Sequence, residues 1–160
     1  MAPRSVTGIG CPSIRGTLYP EVDVMKIMVC HDGSESAQFA LEKTLELFRR
    51  EKPEIILLTV VEEPLDASME NEDIFLRYRQ ERHDFLIKTS NEVADKGFEV
   101  DAILAVGDPR RMIPEAVENK SPDLLVVARR GAGGMAKMLL GSVSAYLLRH
   151  VQCPVLVFHK

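Results

Sequence analysis

Leu124-Leu125-Val126-Val127-Ala128, then Arg129-Arg130-Gly131-Ala132-Gly133-Gly134, then Met135 to Leu140, then Gly141-Ser142-Val143-Ser144: the reading of the whole chain turns on this run. The first five residues are a short apolar stretch of the kind found in a strand buried on both faces. Two arginines and three glycines follow, and Gly141-Ser142 opens an amphipathic segment that continues from Val143 to His150. A strand, a glycine-rich loop and a helix N-terminus together suit an anion, most often a phosphate. Glycine lets backbone N–H groups come close to a ligand, and a helix start carries free N–H donors at the positive end of its dipole. Charge agrees: from Leu124 to Lys160 there is no Asp or Glu, against five Lys or Arg. A glycine-rich surface turn that binds nothing would read the same way, and this stretch by itself does not separate the two.

Working outward, strands alternate with helices. Lys26-Ile27-Met28-Val29-Cys30-His31 reads as the first strand and Asp32-Gly33-Ser34-Glu35 as a turn and helix start. The first helix is expected to run to about Glu51, with Ala37, Ala40, Leu41, Thr44, Leu45 and Phe48 on one face, and Pro53 breaks it. Glu54 to Val61 is a second strand. Glu62 to Asp73 contains Pro64 and six acids and reads as a solvated loop. A long helix is expected over 73–96, with Tyr78, Phe85, Leu86, Thr89, Val93 and Ala94 inward and Gly97 as its stop. Phe98, Val100, Ala102, Leu104 and Val106 alternate along a third strand. Asp108-Pro109 is an N-cap followed by proline at the first helical position. Pro114 leaves two options: the helix starts there, or it passes through and is kinked. After the fourth strand and the glycine-rich loop come a helix over Ser142–His150 and a fifth strand at Pro154–Phe158. Five strands and four helices in alternation predict an α/β domain with a largely parallel sheet.

The bulk properties narrow the function classes. A chain of 160 residues is enough for one domain with a sizeable core. A net charge of −4 disfavours nucleic acid or an anionic membrane as partner, and no apolar run approaches the length of a spanning helix. Cys11, Cys30 and Cys153 are too scattered for a disulfide framework or a zinc site, which fits a reducing, cytoplasmic setting. Residues 1–24 hold six Pro or Gly and no acid before Glu21, and read as a flexible extension to a domain of residues 25–160.

The general motifs are weak one by one. Gly131-x-Gly133-x-x-Ala136 matches a dinucleotide fingerprint only formally: it follows the fourth strand, and no acid comes after it to bind a ribose. No P-loop is present. Asp32 stands where open α/β sheets bind ligands, but its spacing to Glu35 also fits a capping box, and the cap is the favoured reading. Ser142 and Ser144 lack a nucleophile elbow and read as helix-start residues, and no acid–base constellation is visible.

Taken together, the pieces from about Met25 to Phe158 resemble the universal stress protein family. The likeness lies in Val29-Cys30-His31-Asp32-Gly33-Ser34-Glu35-Ser36, in Leu57-Leu58-Thr59-Val60, in Val106-Gly107-Asp108-Pro109 and in Val151-Gln152-Cys153-Pro154-Val155-Leu156-Val157. The family's ATP-binding branch carries G-x2-G-x9-G-[ST] after the fourth strand; here the matching residues are Ala128, Gly131, Gly141 and Ser142, with nine residues between Gly131 and Gly141. The resemblance implies a five-stranded parallel sheet in the order 3-2-1-4-5, helices on both faces, and an adenine nucleotide alpha hydrolase-like fold. It implies ATP as cofactor, with Mg²⁺ or Mn²⁺ bridging phosphate oxygens. Cys30, Val60 and Val127 would then border the adenine side and Asp32 the adenosine. Ala128, Arg130, Gly131, Gly141, Ser142, Val143 and Ser144 would line the phosphates. It further implies a nucleotide-dependent switch or adaptor in stress response, and a homodimer through strand 154–158. The rival readings are a dimer of the same family that binds no nucleotide, and an enzyme using adenylate or flavin chemistry. Two departures stand out. Ala128 replaces the first glycine, which matters only if that position needs positive φ, and Thr59 stands where the family usually has His.

Overall fold

The computed structural model describes residues 24–63, 69–129 and 140–159, without the side chains of 69–71. In chain order the elements are β1 (Lys26–Cys30), α1 (Glu35–Leu47), β2 (Glu54–Val61), α2 (Met69–Asp95), β3 (Val100–Val106), α3 (Pro109–Lys120), β4 (Leu124–Ala128), α4 (Ser142–His150) and β5 (Val155–Phe158). All neighbouring strands pair in parallel, in the order β3-β2-β1-β4-β5. The α/β class and the 3-2-1-4-5 order expected from the sequence are both present.

Two-residue periodicity divides the sheet between two cores. Ile27 and Val29 of β1, Ile55 and Leu57 of β2 and Val126 of β4 face Ala40, Leu41 and Leu45 of α1 and Leu86 and Val93 of α2. Met28, Ile56, Leu58, Leu125 and Val127 point the other way, toward Ile113, Ala116 and Val117 of α3 and Leu147 of α4. Central strands buried on both faces cannot alternate polar with apolar, which is why β1, β2 and β4 are unbroken apolar runs.

Several boundaries differ from expectation, each for a local reason. Helix α1 is capped by Ser34, whose Oγ accepts from the Ala37 N–H at 3.1 Å, and not by Asp32. It ends at Leu47 rather than near Glu51: Arg49, Arg50 and Glu51 are exposed, so no apolar face extends that far, and Lys52 is left-handed. Helix α2 begins at Met69, so Met69–Asp73 is helical rather than loop. Glu70, Glu72 and Asp73 fall in its first turns, where acids complement the positive end of the dipole. Residues 64–68 lie outside the described residues. On α2, Leu86, Thr89 and Val93 are buried as expected, but Tyr78 and Ala94 are exposed. Strand β3 carries apolar residues to both faces, Val100 and Leu104 to one and Ile103 and Ala105 to the other, and its Ala102 is exposed. Helix α3 runs through Pro114 without a break, capped by Asp108 with Pro109 behind it.

The core account has a direct check. Leu57→Ala, at a fully buried position of β2, should cost about 2–5 kcal/mol in denaturant unfolding, whereas Leu47→Ala, at 60% exposure, should stay within about 0.5 kcal/mol of wild type.

Candidate functional site

The strand order reverses direction between β1 and β4, and in open α/β sheets the crevice beyond such a switch point receives ligands. Val29 of β1 lies opposite Val126 of β4. Asp32 and Arg129 each follow three residues later, so the loops after the two strands leave the sheet side by side.

The first loop, His31 to Ser34, is held by side chains at almost every step. The Thr59 hydroxyl, fully buried on β2, donates to the His31 carbonyl at 2.9 Å. Asp32 Oδ1 accepts from the Ser34 N–H at 3.0 Å. His31 Nδ1 accepts from the Gly33 N–H at 3.0 Å, which assigns the ring proton to Nε2, 3.1 Å from Gln38 Oε1. From α2, Arg82 Nη1 donates to the Asp32 carbonyl at 3.0 Å. Gly33 has φ +84°, and a Cβ there would run into the Arg82 guanidinium, so glycine is required by conformation and by space. The His31 ring is buried against Phe85, with 5.0 Å between centroids. An open groove of about 560 Å³, lined by His31, Ser34, Gln38, Phe39 and Phe85 among others, runs beside this loop.

The second loop leaves β4 at Ala128 and returns at Gly141. Its ends are tied: Gly141 N–H donates to the Arg129 carbonyl at 2.7 Å, and the buried Ser144 hydroxyl donates to the Ala128 carbonyl at 2.8 Å. Arg129 N–H in turn donates to the Phe158 carbonyl of β5. Ser144 is therefore a tie between α4 and β4 and not a free nucleophile. The non-glycine residues with positive φ among the described residues are Lys52 and Ser121, so Ala128 is an ordinary strand end and needs no glycine. Gly141 caps α4 with no side-chain hydrogen bond, and the first turn of the helix has no acid. Ser142 is exposed there and Val143 half-buried. Arg130 and Gly131, also expected at the site, lie outside the described residues.

Cys30 ends β1 and Val60 is next to last in β2, both half-buried, while Val127 is buried in the core. Burial, reinforced by the charge of Asp32, pushes the Cys30 thiol up to about 12, so it remains a neutral thiol. The three side chains that hold the first loop, His31, Thr59 and Arg82, were not expected to have that role. Thr59 was visible only as a departure from a pattern, and nothing in the spacing tied Arg82 to a turn fifty residues earlier. A second hollow, about 260 Å³, lies at the opposite edge of the sheet between the carboxyl ends of α3 and α4 and is separate from this site.

Burial lowers the His31 pKa below its ordinary value, against the opposing hydrogen bond to Gln38 and charge of Asp32, and the Arg82 charge adds the smallest effect, on the lowering side. The unfolded chain therefore takes up the proton more readily. The resulting stability is present above the unfolded pKa of about 6.5 and is lost as pH falls through the lower folded value. Denaturant melts between pH 7.5 and 5 should show wild type losing more stability than His31→Asn, which has no proton to gain; parallel curves would remove His31 as the cause.

The model of the universal stress protein family matches residues 24–159. Universal stress protein Sll1388 of Synechocystis is 30% identical over 149 residues, covering 82% of this chain and 96% of its own length. Among solved structures, the protein MJ0577 superposes with a TM-score of 0.77 at 28% identity, covering 85% of this chain and 96% of that one. A universal stress protein family member of Arabidopsis thaliana, solved with AMP bound, superposes with a TM-score of 0.57 at 29% identity, covering 84% and 90%. A family match across nearly all the described residues, on a sheet whose switch point brings these two loops together, places this chain in the universal stress protein family.

Proposed function

We propose that the crevice between Asp32 and the start of α4 binds an adenine nucleotide, ATP with Mg²⁺ or Mn²⁺, and that the chain acts as a nucleotide-dependent switch or adaptor. The observation that carries this reading is the start of α4. Its Gly141 cap makes no side-chain hydrogen bond, its first turn holds no acid, and Ser144 ties it to the end of β4 beside the Asp32 loop. N–H groups not taken up by a cap are the donors a phosphate needs. The relative solved with AMP bound supports adenine as the base. In this reading the backbone near Cys30, Val60 and Val127 borders the base, Asp32 the adenosine, and Ala128, Gly141, Ser142, Val143 and Ser144 the phosphate side, with Arg130 and Gly131 completing it. Among the described residues no group of three or more His, Cys, Asp or Glu could hold a metal, so a divalent cation would be carried mainly by the phosphate oxygens. Hydrolysis would be slow, because the sequence shows no assembled acid–base constellation and the buried Ser144 hydroxyl is already donated to the Ala128 carbonyl.

Mass spectrometry of denatured purified protein is expected to release ATP or ADP. Gly141→Val should abolish ATP binding in calorimetry with the fold retained, because a branched side chain would enter the phosphate approach. Ala128→Gly should change the affinity little. Unaltered ATP affinity in Gly141→Val would move the site elsewhere. No binding by wild type, with or without the Ala128→Gly change, would favour the reading as a dimer without nucleotide.

The same reading includes a homodimer. Strand β5 is a sheet edge of half-buried apolar residues, Val155-Leu156-Val157-Phe158, with no charge to block pairing. A two-fold axis would pair it antiparallel with its copy. Light scattering should give a dimer that Val157→Lys weakens. If the wild type is a monomer and dimerises only when shortened to begin at Met25, the N-terminal extension covers the edge instead. Monomers in both forms would end the proposal.

A further inference from the structure

The Asp32 carbonyl and the Gly33 N–H belong to one peptide unit, and a different side chain holds each pole of it. Arg82 Nη1 donates to the carbonyl at 3.0 Å from α2; His31 Nδ1 accepts from the N–H at 3.0 Å. A peptide that precedes a glycine at positive φ is one that can rotate about its axis at little steric cost, because the glycine tolerates either sign of φ. The same turn carries the Asp32 carboxylate, bonded to the Ser34 N–H, into the start of α1, so the orientation of this peptide sets the shape of the turn on which Asp32 stands. Both holding groups sit behind the loop. His31 is 2% exposed, and the Arg82 guanidinium lies over the rings of Tyr78 and Phe85, 5.5 and 5.3 Å from their centroids. The Arg82 Nε is buried with no hydrogen-bond partner, which is costly for a cation and is not what packing alone would select. A Cβ on Gly33 would displace the guanidinium from its present place, so the glycine leaves room for this arginine contact.

From this geometry we propose that Arg82, acting with His31, is a positioning residue: it clamps the Asp32–Gly33 peptide in one orientation and thereby sets affinity for the nucleotide. The inference rests on the adenine-nucleotide reading above for its effect on affinity, and on the two hydrogen bonds to the Asp32–Gly33 peptide for the clamp itself. Arg82 touches no ligand in this scheme. It acts through the Asp32 carbonyl, and it makes the position of α2 a determinant of the site.

Two variants and two readouts test it in the full chain. Arg82→Met keeps an unbranched side chain and removes the donor; Arg82→Lys keeps a charged donor. In the protein without nucleotide, amide hydrogen exchange at Gly33 should rise roughly tenfold or more in Arg82→Met and return most of the way in Arg82→Lys, with core amides of β1 and β2 unchanged. ATP dissociation constants should follow the same order, weaker by roughly tenfold in Arg82→Met and partly recovered in Arg82→Lys. Unchanged exchange at Gly33 overturns the clamp. Raised exchange with unchanged ATP affinity overturns its link to the site. A rise spread evenly over all amides, alike in both variants, shows a packing role only and also overturns it. If wild type binds no ATP while Gly33 exchange responds as stated, the nucleotide reading falls and the clamp stands.

Discussion

Buried backbone groups that leave a sheet must find new partners, and this constraint shapes the carboxyl edge of the molecule. Inside the ladder the neighbouring strand supplies them. The last ladder-like bonds here are His31 N–H to the Leu58 carbonyl and Arg129 N–H to the Phe158 carbonyl, where the chain is still buried or half-buried. Around them side chains take over much of the pairing: Thr59 for the His31 carbonyl, Arg82 for that of Asp32, His31 for the Gly33 N–H and Ser144 for the Ala128 carbonyl. Each bond is worth only about 1 kcal/mol net, but leaving one of these groups unpaired would cost more, so the bonds fix loop shape more than they add stability. The site is preorganised because folding has to solve this problem anyway.

Much of the fold was legible because the sheet is buried on both faces. Continuous apolar runs at 27–29, 55–58 and 124–127, separated by helical periodicity, admit few arrangements. Boundaries were less legible where a local signal had two possible owners. Asp32 and Ser34 both precede α1 and both can cap; the structure gives the cap to Ser34 and uses Asp32 to bend the turn through the Ser34 N–H. The acids before Phe75 read as a solvated loop, yet acids also favour the first turn of a helix, and Met69–Asp73 is helical.

The site was half legible. Glycine spacing and the strand–loop–helix order singled out Gly141 to Ser144, and the topology brought Asp32 to them. The cost of Ala128 could not be read from sequence because it depends on one dihedral angle, and the structure places the residue in ordinary strand conformation. The supporting residues were invisible for a plainer reason. Arg82 sits on an exposed stretch of α2 and looks like any solvated arginine until the fold lays it over the β1–α1 turn. Side chains that reach the backbone of a distant element leave no spacing rule behind them.

The paired ties at the feet of the second loop bear on how long that loop can be. Once Ser144 has bonded Ala128 and Gly141 has bonded Arg129, the chain between 130 and 140 is a closed excursion whose ends no longer depend on its contents. The entropy of closing such a loop grows only with the logarithm of its length, so doubling it would cost about 0.6 kcal/mol. The two ties thus carry the join between β4 and α4, and the fold is largely indifferent to how many residues separate them.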